Sequence, residues 1–267
     1  MQQYYFYKHC AADPFFNMAF DEMMLDFVLE RPDVILLRLY TWMPGTITIG
    51  LNQEMDRALD LSRLGNTPLI RRVTGGRAVY HDPSELTYAV AVNPEGVGLD
   101  AWRGSISDVY LYLAQALQGY LKVLGVRSKV VRTVSEPARS PSTLARQPCF
   151  ASAARYELLA TGGKVVASAQ RRIGRALLQH GSIKLDGVAT HAALEGMEAS
   201  DQDLQPLGKR RFDRMADLFL RTWASILGGP PGGDLPVLEG SSRFLKRLER
   251  VHFQPLDRRD TFEQTNG

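Results

Sequence analysis

A chain of 267 residues, 45% hydrophobic and 23% charged, has the balance of a soluble globular protein and the length for one large domain or two small ones. A net charge of +3 is too small to argue for a nucleic-acid partner, and two cysteines, Cys10 and Cys149, make neither a disulfide framework nor a zinc cluster. The N-terminus is short and aromatic rather than a signal peptide, and charges interrupt the later apolar runs, so no membrane span is expected and a cytoplasmic protein with reduced thiols is.

Tyr4–Lys8 reads as a first strand. Asp13-Pro14 supplies an N-cap and a proline at the first helical position, for a helix to about Leu29. Phe16, Ala19, Phe20, Met23, Met24 and Phe27 recur on it at core spacing. Val34–Tyr40 and Thr46–Ile49 read as strands joined by a Met43-Pro44-Gly45 turn, and a short helix is expected near Asp56–Leu64. Leu69–Val73 and Ala78–Tyr80 read as the arms of a hairpin turned by Gly75-Gly76, and Glu85–Val92 continues the meander. The stripe Val109, Leu113, Leu117, Tyr120, Leu121 and Leu124 predicts a helix over about Ser105–Leu124, ended by Gly125. The methionines of the first helix and the tyrosines of this one read as core, with no chemistry assigned. Val130-Val131 begins a short strand, and residues 133–148 form a polar loop with three prolines, long enough for a lid or an insertion. Tyr156–Leu159, Lys164–Gln170 and Ala176–Leu185 read as a second antiparallel meander, with Gly162-Gly163 turning the first into the second. A helix near Arg210–Ile226 carries Phe212, Met215, Leu218, Phe219 and Trp223 on one face, and the Gly/Pro run from Gly228 to Gly233 breaks it. An apolar-basic stretch at Phe244–Leu248 and a polar end follow. Helices mixed with strand meanders predict an α+β fold.

Arg71-Arg72-Val73-Thr74-Gly75-Gly76-Arg77-Ala78-Val79-Tyr80-His81-Asp82 is the most telling stretch. Adjacent glycines let backbone N–H groups approach a ligand, and Arg72 and Arg77 flank them, which suits an anionic or acyl group. An ordinary hairpin with solvated arginines has the same appearance. A second segment, Gly163-Lys164-Val165-Val166-Ala167-Ser168-Ala169-Gln170-Arg171-Arg172, precedes Leu178-Gln179-His180-Gly181-Ser182-Ile183. Lys164 either carries its ammonium into a pocket, where low dielectric strengthens its pull on a carbonyl or phosphate oxygen, or sits on the solvent face. His81 and His180 are each a base or a structural hydrogen-bonding group. Cys149 is a small buried hydrophobe or, with cations such as Lys164 nearby, a thiolate nucleophile.

Together with Asn17-Met18-Ala19 and Asp21-Glu22, Thr46–Gly50 with Asn52-Gln53, and His81-Asp82 with Leu86-Thr87-Tyr88, these segments resemble the lipoate–protein ligase and octanoyltransferase family as far as Asp186. Pro148-Cys149-Phe150, placed about fifteen residues before Lys164, is similar to the single-domain octanoyltransferases and related amidotransferases that use a cysteine acyl-enzyme. The resemblance implies a class II biotin–lipoate ligase-like catalytic domain over residues 1–228, α+β with mixed, mostly antiparallel sheets flanked by helices. Residues 229–267 would be a partly flexible C-terminal extension.

The resemblance further implies Cys149 and Lys164 as catalytic residues. It places Arg72, Thr74, Gly75, Gly76, Arg77, Ala78, His81, Ser168, Ala169, His180 and Gly181 around the substrate, with no metal. In the transferase reading Cys149 takes octanoyl from octanoyl-acyl carrier protein while Lys164 steadies the oxyanion. A lysine of a lipoyl domain, such as the glycine-cleavage H protein, then receives it. No cofactor is required, the chain acts as a monomer, and neither nucleic acid nor membrane is a partner. Ile47, Ile49, Val73 and Val79 are candidate walls for the acyl tail, and Arg72, Arg77, Arg171 and Arg172 candidate contacts for acidic carrier proteins. Ala167 stands where many relatives have glycine, and the biotin-ligase motif Gly-Arg-Gly-Arg-x-Gly is absent, which disfavours biotin. Three alternatives stay open: a lipoate–protein ligase using ATP and Mg, with Cys149 a bystander; an amidotransferase between lipoyl domains; and a non-catalytic acyl- or carrier-protein-binding module.

Overall fold

The computed structural model describes residues 3–97, 105–132, 156–194, 204–232 and 235–253. The first strand, β1 (Gln3–Ala12), leads into helix α1 (Pro14–Glu30) and then β2 (Val34–Trp42), which lies parallel to β1. Asp13 starts α1 as expected: its Oδ1 accepts from the backbone N–H of Phe15 at 2.9 Å and of Phe16 at 3.0 Å, two donors the helix cannot satisfy itself. Next come β3 (Thr46–Ile49), the one-turn helix α2 (Met55–Ala58), β4 (Leu69–Arg71), β5 (Val79–His81) and β6 (Leu86–Val92). Helix α3 (Ile106–Val123) opens with a capping box between Ser105 and Asp108. The rest comprises β7 (Lys129–Val130), β8 (Leu158–Ala160), β9 (Gly163–Ile173), β10 (Ala176–Ile183), α4 (Lys209–Leu227) and α5 (Ser242–Phe253).

Seven strands form one sheet in the order β1-β2-β6-β10-β9-β8-β7, antiparallel except for the β1–β2 pair. Alternation along these strands sends side chains to two cores. Leu37, Leu39, Val90 and Val92 pack toward α3 and α4, meeting Leu113, Leu117, Phe212, Phe219 and Trp223. Leu36, Tyr40, Ala89 and Leu178 pack toward α1, meeting Phe20, Met24 and Val28. Each fully buried side chain of this size contributes roughly 1.5–3 kcal/mol over its exposed state. The result is helix on sheet on helix, the α+β architecture read from the sequence. Among the described residues no helix is long and apolar enough to cross a membrane.

The second sheet has the order β4-β3-β5, with β3 parallel to β4 and antiparallel to β5. This corrects the hairpin reading. The arms beside Gly75-Gly76 do not pair with each other, because β3 lies between them, and residues 72–78 cross over its end. The crossing is close: a Cβ on Gly50 would overlap the carbonyl oxygen of Gly76. Of the two adjacent glycines only Gly76 has a positive φ, +94°. Gly50 is therefore the glycine that lets the loop pass.

The stretch around Phe244–Leu248 belongs to α5, which docks on α1. Phe244 joins the Phe16 and Phe20 rings at centroid distances of 5.5 and 6.4 Å. Arg247 reaches Asp26 at 2.7 Å and Glu22 at 3.1 Å.

Candidate active site

A cavity of about 50 Å³ opens where the two sheets meet α1. Its walls are Met18 from α1, Tyr40 and Trp42 from β2, Thr48 from β3, Val79 and His81 from β5, and Thr87 from β6. Ala167, Ser168 and Ala169 from β9, His180, Gly181 and Ser182 from β10, and Arg72 and Gly76 from the crossing loop complete them. Seven of the residues expected around the substrate thus converge here: Arg72, Gly76, His81, Ser168, Ala169, His180 and Gly181. Met18, part of a segment that carries the family resemblance but given no chemistry from the sequence, joins them from α1. Of the four apolar residues expected to wall an acyl tail, only Val79 does so. Strand alternation explains the rest: β3 turns Thr48 to the cavity and buries Ile47 and Ile49 against Ala58, Leu59 and Ala193. Val73 packs in the core on the α1 side.

His180 is held at both nitrogens. Its Nδ1 faces Asp21 Oδ2 at 2.8 Å and its Nε2 faces Thr74 Oγ1 at 2.6 Å. An ionised carboxylate only accepts, so Nδ1 carries the proton and donates, leaving Nε2 to accept from the Thr74 hydroxyl in the neutral ring. Asp21 is itself fully buried and also receives Arg38 Nη1 at 2.7 Å and the Tyr40 hydroxyl at 2.8 Å. Burial alone would raise its pKa, but Arg38, His180 and Tyr40 together hold it below the usual carboxylate value. Arg38 is enclosed by the Tyr40 and Phe20 rings, 3.9 and 4.5 Å from its guanidinium carbon, and donates from Nε to His9 Nδ1 at 3.0 Å.

Arg72 does not flank the glycines as a charge offered to an anionic ligand or to solvent. It is 5% exposed, and its guanidinium grips carbonyl oxygens of its own loop. Nη2 donates to Gly75 O at 2.7 Å and Arg77 O at 2.9 Å, while Nη1 donates to Thr48 O at 3.2 Å and Thr48 Oγ1 at 3.1 Å. Arg72 is a buried clasp, inaccessible to a carrier protein. Arg77 is half-buried and Ala78 buried in the small core behind β3. Arg171 donates to the Val73 carbonyl at 3.3 Å, and Arg172 is exposed.

The far wall is organised by Glu85, which the sequence reading did not single out. Its Oε1 receives His81 Nδ1 at 2.7 Å, Thr87 Oγ1 at 2.8 Å and Ser182 Oγ at 2.9 Å. His81 also stacks on Trp42 at 4.2 Å, and its Nε2 meets Thr48 Oγ1 at 2.8 Å. Burial pushes the His81 pKa down. Lys184 pairs with Glu85 and Asp82. Burial alone would raise the Glu85 pKa, yet Lys184 and His81 bring it down to about 2.

Lys164 is buried near the start of β9, following Gly163 with its φ of +113°. Its ammonium lies 2.8 Å from Glu157 Oε2, and it is not among the residues that line the cavity. Cys149 and the 133–148 loop lie outside the described residues. Among the described residues no cluster of three or more His, Cys, Asp or Glu side chains is arranged to hold a metal ion.

The lipoyl protein ligase A/B catalytic domain matches residues 13–208. Octanoyltransferase LipM of Brevibacillus brevis is 37% identical over 192 residues, 70% of this chain and 67% of that protein. Octanoyltransferase LipM of Moorella thermoacetica is 38% identical over 177 residues, 66% of this chain and 62% of that protein. The chain therefore spans about two thirds of the length of these relatives. Among solved structures, a bi-partite lipoate protein ligase from Thermoplasma acidophilum superposes with a TM-score of 0.64 at 16% identity, over 97% of this chain and 95% of that one. At that identity the likeness is one of fold.

Proposed function

The chain belongs to the lipoyl protein ligase A/B catalytic-domain family, and from that premise we propose that it is an octanoyltransferase of protein lipoylation. The observation that carries this reading is the composition of the cavity wall. Met18, Tyr40, Trp42, Val79, Ala167 and Ala169 offer apolar surface, while Thr48, Arg72, His81 and His180 bring polar groups to the same space. A fatty-acyl group needs both: each buried CH₂ stabilises binding by about 0.8 kcal/mol, and the carbonyl needs a hydrogen-bonding partner. The cavity of about 50 Å³ is open on one side, so an eight-carbon tail extends beyond it or displaces a flexible wall side chain, of which Met18 is the adaptable one. The names of the two bacterial relatives support octanoyl as the group moved.

The reaction proposed is a two-step displacement. The Cys149 thiolate attacks the carbonyl of octanoyl-acyl carrier protein, a new C–S bond forms, and the carrier thiol leaves. A lysine amine of a lipoyl domain, such as the glycine-cleavage H protein, then attacks the octanoyl-Cys149 thioester. The C–N bond forms, the proton of the amine is lost, and the Cys149 thiolate is regenerated. Exchange between thioesters is nearly balanced and thioester to amide runs downhill, so neither ATP nor Mg is needed. Lys164, held by Glu157, steadies the developing oxyanion. The enzyme works as a cytoplasmic monomer.

The test is intact-protein mass spectrometry of wild type and Cys149→Ala mixed with octanoyl-acyl carrier protein without ATP. A hydroxylamine-sensitive octanoyl adduct on wild type alone is expected. No adduct, with lipoyl-domain modification only when lipoate and ATP are supplied, would replace the transferase with a ligase. Adduct formation only from an octanoylated lipoyl domain would make it an amidotransferase, and silence in every arm a binding module.

A further inference from the structure

No motif marks Lys184, one residue beyond β10, yet it is among the most enclosed charges in the molecule. Its side chain is 1% exposed, and those of its partners Glu85 and Asp82 are 0% and 3%. Nζ donates to Asp82 Oδ2 at 2.6 Å and to the Tyr80 carbonyl at 2.9 Å, and pairs with Glu85. Neither Lys184 nor Glu85 lines the cavity, but every group that Glu85 Oε1 accepts from does: His81, Thr87 and Ser182. Thr87 extends the chain by one link, because its Oγ1 accepts from Trp42 Nε1 at 2.8 Å, and Trp42 is both a wall residue and the stacking partner of His81.

We propose that Lys184 is a positioning residue for the candidate site: by keeping Glu85 an anionic acceptor, it fixes His81, Thr87, Ser182 and the Trp42 indole in the cavity wall. One carboxylate oxygen serves three donors here, and a proton on that oxygen, or a Glu85 pushed aside by an unbalanced Asp82, would surrender part of that capacity. Isolated buried carboxylates neutralise themselves, and the ammonium wedged between Glu85 and Asp82 removes the reason to. The cluster of Asp82, Glu85 and Lys184 carries one net negative charge. Lys184→Met makes it two, and Lys184→Met with Glu85→Gln returns it to one, while the amide oxygen still accepts from the same donors. The catalytic significance of this arrangement rests on the reading of the cavity as an acyl pocket; the geometry of the wall does not.

The experiment records the Trp42 indole N–H and His81 imidazole resonances of the ¹⁵N-labelled full chain, assigned through Trp42→Phe and His81→Gln. It is run alongside octanoyl transfer to a lipoyl domain. Lys184→Met is expected to shift both resonances and lower kcat/KM by roughly a hundredfold, the scale of a small misplacement at a reacting centre. Adding Glu85→Gln is expected to return the resonances and most of the rate. A folded Lys184→Met protein with unshifted resonances overturns the proposal, as does a double variant that stays like the single one. Should Lys184→Met not fold, a folded double variant with wild-type resonances supports the proposal and an unfolded one overturns it. A wild type that transfers no octanoyl refutes the functional reading alone, because the resonances are read without substrate.

Discussion

His180 Nδ1 lies 2.8 Å from Asp21 Oδ2, and the other oxygen of that carboxylate lies 2.7 Å from Arg38 Nη1, so one buried aspartate serves a cavity imidazole and a fully enclosed guanidinium at once. The amide of Asp21→Asn keeps the shape and removes the charge. Arg38 is then a buried cation without its counter-ion, which costs about 3–5 kcal/mol. Urea unfolding should show that loss, and octanoyl transfer should fall further than the loss of folded protein explains. Unchanged stability would mean that Arg38 is balanced by other groups.

Arg72→Lys should not be conservative. A lysine keeps the charge but cannot span Gly75 O, Arg77 O and Thr48 O together, as the planar guanidinium does. The carbonyls left unpaired in a buried loop cost about 1–3 kcal/mol. Thermal unfolding of the variant should drop accordingly, with substrate KM raised because the loop also forms the cavity wall.

Glu85 sets an acid limit on stability. Its folded pKa, about 2, lies below the ordinary 4.5, so its ionised form favours the folded state. That contribution is complete above about pH 4.5 and is lost as pH falls toward 2, where the unfolded chain takes up a proton the folded one resists. The slope is up to about 1.4 kcal/mol per pH unit for one group. Lys184, whose pKa is raised, favours the folded state at all pH values below its ordinary 10.5 and does not contribute to this window. Denaturant titrations from pH 6 to 2 should give a shallower decline for Glu85→Gln than for wild type, from a lower neutral-pH starting point.

The three glycines around the crossing loop should respond differently to a methyl group. Gly75→Ala meets nothing within 4 Å and should change stability by less than about 0.5 kcal/mol. Gly76→Ala must adopt a φ of +94° with its Cβ 2.8 Å from Arg72 Nη2, and should lose about 1 kcal/mol or more. Gly50→Ala overlaps the Gly76 carbonyl and should be the most damaging of the three. Melting temperatures of the three variants give the order directly.

The elements legible in the sequence are those set by local chemistry. The Asp13-Pro14 start of α1, the stripe of α3 and the Gly228 stop of α4, with φ +80°, depend on neighbours in the chain and appear where expected. The pairing around Gly75-Gly76 is not legible, because both arms pair with a strand that lies earlier in the sequence, a relation no local pattern encodes. The site divides the same way. Gly76, Ser168, Ala169, His180 and Gly181 sit in contiguous motifs, whereas Asp82 and Lys184 stand 102 residues apart and His180 and Asp21 stand 159 apart. Such buried charge pairs look like surface charge until the fold joins them. The alternation of Thr48 with Ile47 and Ile49 does signal the cavity side locally: a polar residue within an apolar strand marks the face that meets polar company.

Strand β3, lying between β4 and β5, also constrains how such a protein can diversify. A hairpin tip hangs free and accepts insertions, but residues 72–78 span a fixed gap of two strand spacings, about 10 Å, anchored at opposite edges of one sheet. Lengthening the strap would slacken it over Gly50, and shortening it would pull β4 and β5 off register. New ligand preferences at this wall must therefore arise by exchange of side chains at constant length, with Met18 and Val79 free to vary in bulk while the strap keeps its residue count.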